Sequence, residues 1–204
     1  MREAPVYLPK PIAPWAAIVP DAPPHMTLAA FLDYRGEEGY RYELVEGVLV
    51  RVAGTRPRAG RVTRNLLFPL AAYVQAHHLG TVTPPDEVYD LASGGQKDTG
   101  LLPDIGFYKA SREALVDPDK AYPFAPDLAV EVASPTQYRP EMEAKVARYL
   151  AGGTALVWVV WPNRRQVDVW RAGDRASTVL EVGDMLDGEN VIPGFTFPIA
   201  ALFE

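Results

Sequence analysis

The stretch DLAVEVASP, residues 127–135, reads as a buried β-strand with a carboxylate, Glu131, in its middle. Side chains alternate between faces along a strand, so Leu128, Val130 and Val132 share one face and Ala129, Glu131 and Ala133 share the other. The two alanines leave space beside the carboxylate. A buried carboxylate with no partner is costly or takes up a proton, so Glu131 requires a nearby cation: an arginine, a lysine or a metal. The plainer reading is an exposed glutamate on a half-buried strand.

Three other residues carry the same ambiguity. Asp104 interrupts the apolar run LLPDIGFY, with Pro103 marking a strand start and Gly106 as its nearest same-face neighbour; the alternative is a turn-forming Pro-Asp dipeptide. Lys145 lies in RPEMEAKVARYLAGG, flanking a stripe of Met142, Val146, Tyr149 and Leu150. It would otherwise form a surface ion pair with Glu141, four residues before it. Glu43, in RYELVEGVLV, shares a strand face with Arg41 and Val45, while Tyr42 and Leu44 face the other way. By itself it reads as a solvent-side charge on a hairpin.

These residues must be positioned by the elements around them. Thr27 caps a short predicted helix, TLAAFLDY. YRYELVEGVLVRVAG predicts a hairpin turning near Glu46-Gly47. Val62, Leu66, Leu70, Tyr73 and Val74 recur at helical spacing within residues 58–78, with Pro69 inside the run. One strand is expected near 80–90, and another over LLPDIGFYKA after the connector ASGGQKDTG. A short helix covers Ser111 to Leu115. After the Glu131 strand, the Lys145 helix closes at Gly152-Gly153. ALVWVVWP reads as a central strand covered on both faces, paired with RQVDVWRA through a turn at Pro162-Asn163. Asp168 in that second strand reads as a surface residue of the hairpin. The pattern predicts an α/β fold with a central mixed sheet flanked by helices. Residues 1–24, with seven prolines, read as an extended arm preceding a domain over 25–204. Tyr7 and Trp15 of the arm would pack on the body or on another subunit.

Composition narrows the chemistry. The 204 residues carry no cysteine, which excludes disulfides, zinc-thiolate sites and thiol nucleophiles. The histidines are His25, His77 and His78, too few and too scattered for a histidine metal triad. No G-x-S-x-G elbow surrounds Ser134, and nothing resembles a phosphate-cradling glycine loop. No apolar run reaches the roughly 18 residues of a membrane-spanning helix and no signal pattern opens the chain, so a cytoplasmic protein is expected. A net charge of -6 argues against coating nucleic acid by bulk electrostatics. Arg51, Arg56, Arg58, Arg61 and Arg64, with no acid among residues 51–64, form a local basic exception.

Taken in order, YELVEG, the Pro103-Asp104 pair, DLAVEVASPT, Lys145 with Tyr149, and VWVV resemble the Uma-two family of restriction-endonuclease-like proteins, part of the PD-(D/E)XK nuclease superfamily. The resemblance runs from about Tyr42 to Phe203. It implies a restriction-endonuclease-like fold, with Asp104 and Glu131 as metal-binding carboxylates. Lys145 would replace the lysine that the simplest superfamily pattern puts at the position of Ala133, and Glu43 would be an additional acid. Three positions depart from the family's habit: Ala59 where members carry histidine, Leu102 where they carry Gln or Arg, and Trp161 where they carry aspartate.

The resemblance implies phosphodiester hydrolysis in DNA. Mg²⁺, or Mn²⁺ in its place, would be held by Asp104, Glu131 and the Val132 carbonyl. Lys145 would stabilise transition-state charge, or serve as a base if burial depressed its pKa, and Glu43 would orient Lys145 or position a second metal. Arg56, Arg58, Arg61 and Arg64 are the expected nucleic-acid contacts, assisted by helix N-terminal amides. A homodimer or higher homo-oligomer is expected because a duplex has two strands to cut. The alternative is a non-catalytic interaction module on the same fold, motivated by Ala59 and Trp161. A carboxylate-pair glycosidase fits less well, since it needs no neighbouring lysine.

Overall fold

The structure, a computed structural model, describes residues 12–52, 54 and 56–204; Tyr7 and the first prolines of the expected arm lie outside them. In chain order the elements are β1 (Ala17–Ile18), α1 (Leu28–Leu32), β2 (Arg41–Val45), β3 (Val48–Val52), α2 (Pro57–Ala76), β4 (Gly80–Thr83), β5 (Tyr89–Asp90), β6 (Gly100–Leu101) and β7 (Ile105–Lys109). There follow β8 (Leu128–Val132), α3 (Arg139–Ala151), β9 (Leu156–Trp161), β10 (Gln166–Arg171), β11 (Thr178–Leu180), β12 (Met185–Asp187) and β13 (Thr196–Pro198). Short 3₁₀ segments cover Ala92–Gly94, Ala110–Leu115 and Ile199–Phe203.

Two sheets organise the core. The larger runs β11-β10-β9-β8-β7-β4 and is mixed, because β8 and β9 are parallel and the other neighbours antiparallel. The smaller runs β1-β3-β2-β6-β5. β8 and β9 are central and fully buried strands, as expected of apolar runs covered on both faces. On one face of the larger sheet, Val62, Leu66, Leu70 and Val74 of α2 pack on Ile105, Phe107, Leu128, Val130 and Trp158. On the other, Met142, Val146 and Tyr149 of α3 meet Ala129, Ala133, Val157 and Val159. The smaller sheet packs on that same face through Val45, Val50, Tyr89 and Leu101. Phe31 of α1 covers the smaller sheet's opposite side with Met26, Leu44 and Leu49.

The β2–β3 hairpin turns where expected: Glu46 (φ 50°) and Gly47 (φ 78°) are both left-handed, as a tight two-residue hairpin requires. Gly106 is equally constrained, because a Cβ there would lie 2.5 Å from both Thr83 Oγ1 and Tyr89 Oη. Its neighbourhood is filled rather than open. Within the stretch expected as an arm, Ala17–Ile18 pairs antiparallel with β3, and Trp15 is buried in the core between the sheets.

Two expected strands are each split. The region near 80–90 breaks at Pro84-Pro85 into β4 of the larger sheet and β5 of the smaller. LLPDIGFYKA likewise breaks at Pro103, leaving β6 in the smaller sheet and β7 in the larger. Proline cannot donate to a ladder, so each break is where the chain crosses between sheets. The helix expected over Ser111 to Leu115 is 3₁₀ and starts at Ala110. Asp168 also departs from expectation. It is 2 % exposed, and its Oδ2 accepts from Arg139 Nη1 at 2.6 Å and Trp161 Nε1 at 2.8 Å. Its strand β10 is covered by the start of α3, which buries that face of the hairpin.

Candidate active site

Register explains how the two acids meet. β7 and β8 pair antiparallel through Ile105↔Val130 and Gly106↔Ala129. One step further along that ladder sets Asp104 opposite Glu131, where facing residues bring Cβ atoms within about 5.5 Å. Pro103 turns the chain away at that point. The Asp104 side chain takes over the ladder's next hydrogen bond, its Oδ2 accepting from Val132 N at 2.8 Å. Glu131 lies on the face shared with Ala129 and Ala133, as strand alternation predicted, and that is the face covered by α3.

From α3, Lys145 enters the same space. Its Nζ lies 2.8 Å from Glu131 Oε1 and 2.9 Å from Glu43 Oε1, and it is buried with both carboxylates. The surface pairing with Glu141 does not form; Glu141 instead caps α3 by accepting from Tyr138 N. Glu43 reaches the site from β2 of the smaller sheet. Its Oε2 accepts from Trp15 Nε1 at 2.8 Å, and its Oε1 from Leu102 N at 3.3 Å. Tyr149 Oη, one helical turn beyond Lys145, donates to Glu131 Oε1 at 2.7 Å. The four residues singled out from the sequence thus converge on one cavity of about 50 Å³ between the two sheets, which Val132, Ala59, Leu102 and Arg56 also line. That is room for water and an ion rather than for an organic ligand.

Two further participants have no local sequence signal. Arg41, two residues before Glu43 on the same face of β2, places Nη1 3.5 Å from Asp104 Oδ1 and Nε 2.5 Å from Asp86 Oδ1. Burial opposes its charge, but Asp104, Asp86, Glu131 and Glu43 together hold its pKa above the usual value. Trp15 closes the cavity from the stretch expected as an arm. Tyr149 was legible only as a member of an apolar stripe.

The electrostatics are those of an over-filled acid cluster. The Glu131 carboxyl is raised to about 7: burial, Asp104 and Glu43 push it up, and Lys145 pulls it down. For Lys145, burial favours the neutral amine, but Glu131 and Glu43 outweigh it and the pKa rises. The two glutamates therefore favour the ammonium form of Lys145, whereas the base role considered for it needs a depressed pKa. Burial and the same two glutamates keep the Tyr149 phenol protonated.

Among the described residues no three His, Cys, Asp or Glu side chains form a ready cage for an ion. A small hard cation such as Mg²⁺ does not need one: it binds through one or two carboxylates and keeps several waters. Asp104 and Glu131, which line the same cavity, are a carboxylate donor set that such a cation fits. Of the expected nucleic-acid contacts, Arg56 stands at the N-cap position of α2 and lines this cavity, whereas Arg58 and Arg61 open into a neighbouring one. Arg64 is exposed, with its Nη2 donating to Asn65 Oδ1. Among the departures, Ala59 lines the cavity and Trp161 donates to buried Asp168.

Comparisons with known proteins establish the fold and the family. A solved structure from Anabaena variabilis, described as a putative nuclease belonging to DUF820, superposes with a TM-score of 0.74 at 19% identity. The match covers 87% of this chain and 97% of that one, so the two share a fold. No curated protein matches the sequence. The family model Uma2, described as "Putative restriction endonuclease", matches residues 28–200, and the chain belongs to that family.

Proposed function

We propose that the cavity is the catalytic centre of a divalent-metal-dependent nuclease that hydrolyses phosphodiester bonds in DNA. Membership of a family described as restriction endonucleases, on a nuclease fold, supports a nuclease-like function. The observation that carries the finer reading is the register that sets Asp104 beside Glu131, with the Lys145 ammonium 2.8 Å from the latter.

In this reading Asp104, Glu131 and the Val132 carbonyl would hold Mg²⁺, or Mn²⁺ in its place, and the chemistry supplied there would be Lewis acidity toward a phosphate oxygen and a lowered pKa for a bound water. Lys145, its ammonium form favoured by two glutamates, donates to the phosphate oxygens as negative charge builds. Glu43 acts as a positioning residue: its carboxylate is occupied by Trp15, Leu102 N and Lys145, and it aims the amine rather than binding a second ion. Arg56, at the cavity wall, neutralises an incoming phosphate.

The test is nicking of supercoiled plasmid with Mg²⁺ or Mn²⁺ by the wild type, Asp104→Asn and Glu131→Gln. The expected result is cutting by the wild type alone, abolished by chelation. Equal cutting by all three proteins places the activity elsewhere. A folded wild type that binds Mn²⁺ and DNA without cutting returns the chain to the interaction-module reading, which Ala59 at the cavity wall motivates.

A further inference from the structure

Beside the carboxylate cavity lies a second, larger one of about 500 Å³, walled by Arg58 and Arg61 of α2, Arg165 and Asn163 of the β9–β10 turn, and Phe203. Three guanidinium groups line it and no Asp or Glu side chain does. Among the described residues none of the three arginines has an ion-pair partner.

The three like charges repel one another, so the fold has to hold them together. Arg58 is fixed by Nη1 donating to Asn163 Oδ1 at 2.6 Å. Arg165 takes a left-handed backbone (φ 53°), uncommon without glycine, and its guanidinium stands 5.4 Å from the Phe203 ring centre. Its neighbour Arg164 turns to the Trp161 ring instead, also at 5.4 Å. A left-handed turn residue and an asparagine thus hold two of the cations, and α2 carries the third, Arg61, to the same concave space. Guanidinium groups match the oxygens of a phosphate by paired N–H donors, and a cluster of them with no acid nearby suits such an anion.

Placement relative to the first cavity suggests what carries the phosphate. Arg56, at the N-cap position of α2, lines the carboxylate cavity, and Arg61 of the same helix lines the second. One nucleic-acid strand passing along the start of α2 would meet both. We propose that Arg58, Arg61 and Arg165 form a second phosphate site that seats the nucleic-acid backbone next to the phosphate in the carboxylate cavity. The proposal rests on the nuclease reading for its ligand, and it adds Arg165, which the basic run of α2 does not contain.

The test uses fluorescence anisotropy of a labelled DNA duplex with the full chain in chelator, over a range of salt. The proteins are wild type, Arg61→Ala/Arg165→Ala, Arg61→Lys/Arg165→Lys, and the charge-matched control Arg35→Ala/Arg175→Ala, whose residues are exposed and line neither cavity. Thermal melts check that all four fold alike. For the alanine pair the expected result is a loss of affinity of about tenfold or more, and a log–log salt slope shallower by about 1 to 2, at roughly 0.9 for each phosphate no longer neutralised. The lysine pair should recover part of the loss, and the control should bind within about twofold of wild type. An alanine pair with wild-type affinity and slope overturns the second site and leaves the catalytic reading standing. A control that weakens binding as much as the alanine pair also overturns it, since general charge then suffices. The expected losses in a protein that never cuts plasmid uphold the site and remove the catalytic reading. A wild type that binds no DNA at low salt overturns both.

Discussion

Replacing Lys145 by methionine nearly preserves the side chain's length and removes its charge. In the wild type Nζ sits within 2.9 Å of Glu43 and Glu131, and none of the three side chains is more than 7 % exposed. Methionine leaves two carboxylates facing each other with no ammonium between them. Breaking a buried ion pair by removing one partner costs about 3–5 kcal/mol, and a chain of this size loses about 2–4 °C in Tm per kcal/mol. The expected fall is therefore roughly 6–20 °C at neutral pH. Its pH dependence follows from Glu131, raised by burial from 4.5 to about 7 in the fold. The folded state holds that proton more tightly than the unfolded chain, so this group's contribution to stability falls as pH rises between about 4.5 and about 7. Removing Lys145 removes the main neighbour that pulls Glu131 down, so the variant's proton is held to still higher pH. The deficit against wild type is thus largest above about pH 7 and shrinks toward about pH 5, where Glu131 is protonated in both proteins. Circular-dichroism melts at about pH 5 and about pH 8 read both effects, and adding Glu43→Gln to the variant should return part of the loss. A variant melting within about 2 °C of wild type at about pH 8 refutes the buried triad.

Arg41→Gln removes a competing cation from beside Asp104, so Mn²⁺ affinity by calorimetry should rise roughly tenfold, since a unit charge at this range is worth on the order of a kcal/mol or more; unchanged affinity counts against Asp104 as a ligand. Trp15→Phe keeps the apolar packing and deletes the donor to Glu43, with an expected loss of about 1–3 kcal/mol, read as a lower urea midpoint at constant m. Gly106→Ala forces a methyl to within 2.5 Å of the Thr83 and Tyr89 hydroxyls, which are bonded to each other at 2.9 Å. Overpacking of about 1–3 kcal/mol should lower the Tm, and an unchanged melt would show that the pair yields freely.

Locally specified features were legible in the sequence. Alternation in LAVEV gave the correct face for Glu131, Glu46-Gly47 marked the hairpin turn, and helical spacing placed Lys145 beside the buried stripe. Pro103 signalled the strand that starts at Ile105, just after Asp104. What local pattern could not show was which sheet a strand joins. The two segments interrupted by proline, near residues 80–90 and 100–109, each read as one strand because both halves carry strand-favouring residues such as Val, Thr, Tyr, Ile and Phe. Only tertiary pairing assigns the halves to different sheets. The burial of Asp168 was hidden for the same reason: its partners Arg139 and Trp161 come from α3 and β9, and a charge in a hairpin strand looks alike whether a helix covers it or water does. Trp15 and Arg41 reach the site through residues distant in sequence, and no spacing rule connects them to Glu131.

The hold on Glu43 bears on how the protein is made. Its partners come from Trp15, 28 residues earlier, from Leu102, 59 residues later, and from the helix beyond Glu131. A nascent chain emerging from the ribosome presents Glu43 and then Asp104 well before the amine that joins them. Until that helix is synthesised and docks, Arg41 can reach Asp104, but the ammonium that joins Glu43 to Glu131 is missing. Competence therefore arrives late and in one step, and a truncated product ending before Lys145 carries every acidic group of the centre yet cannot assemble it.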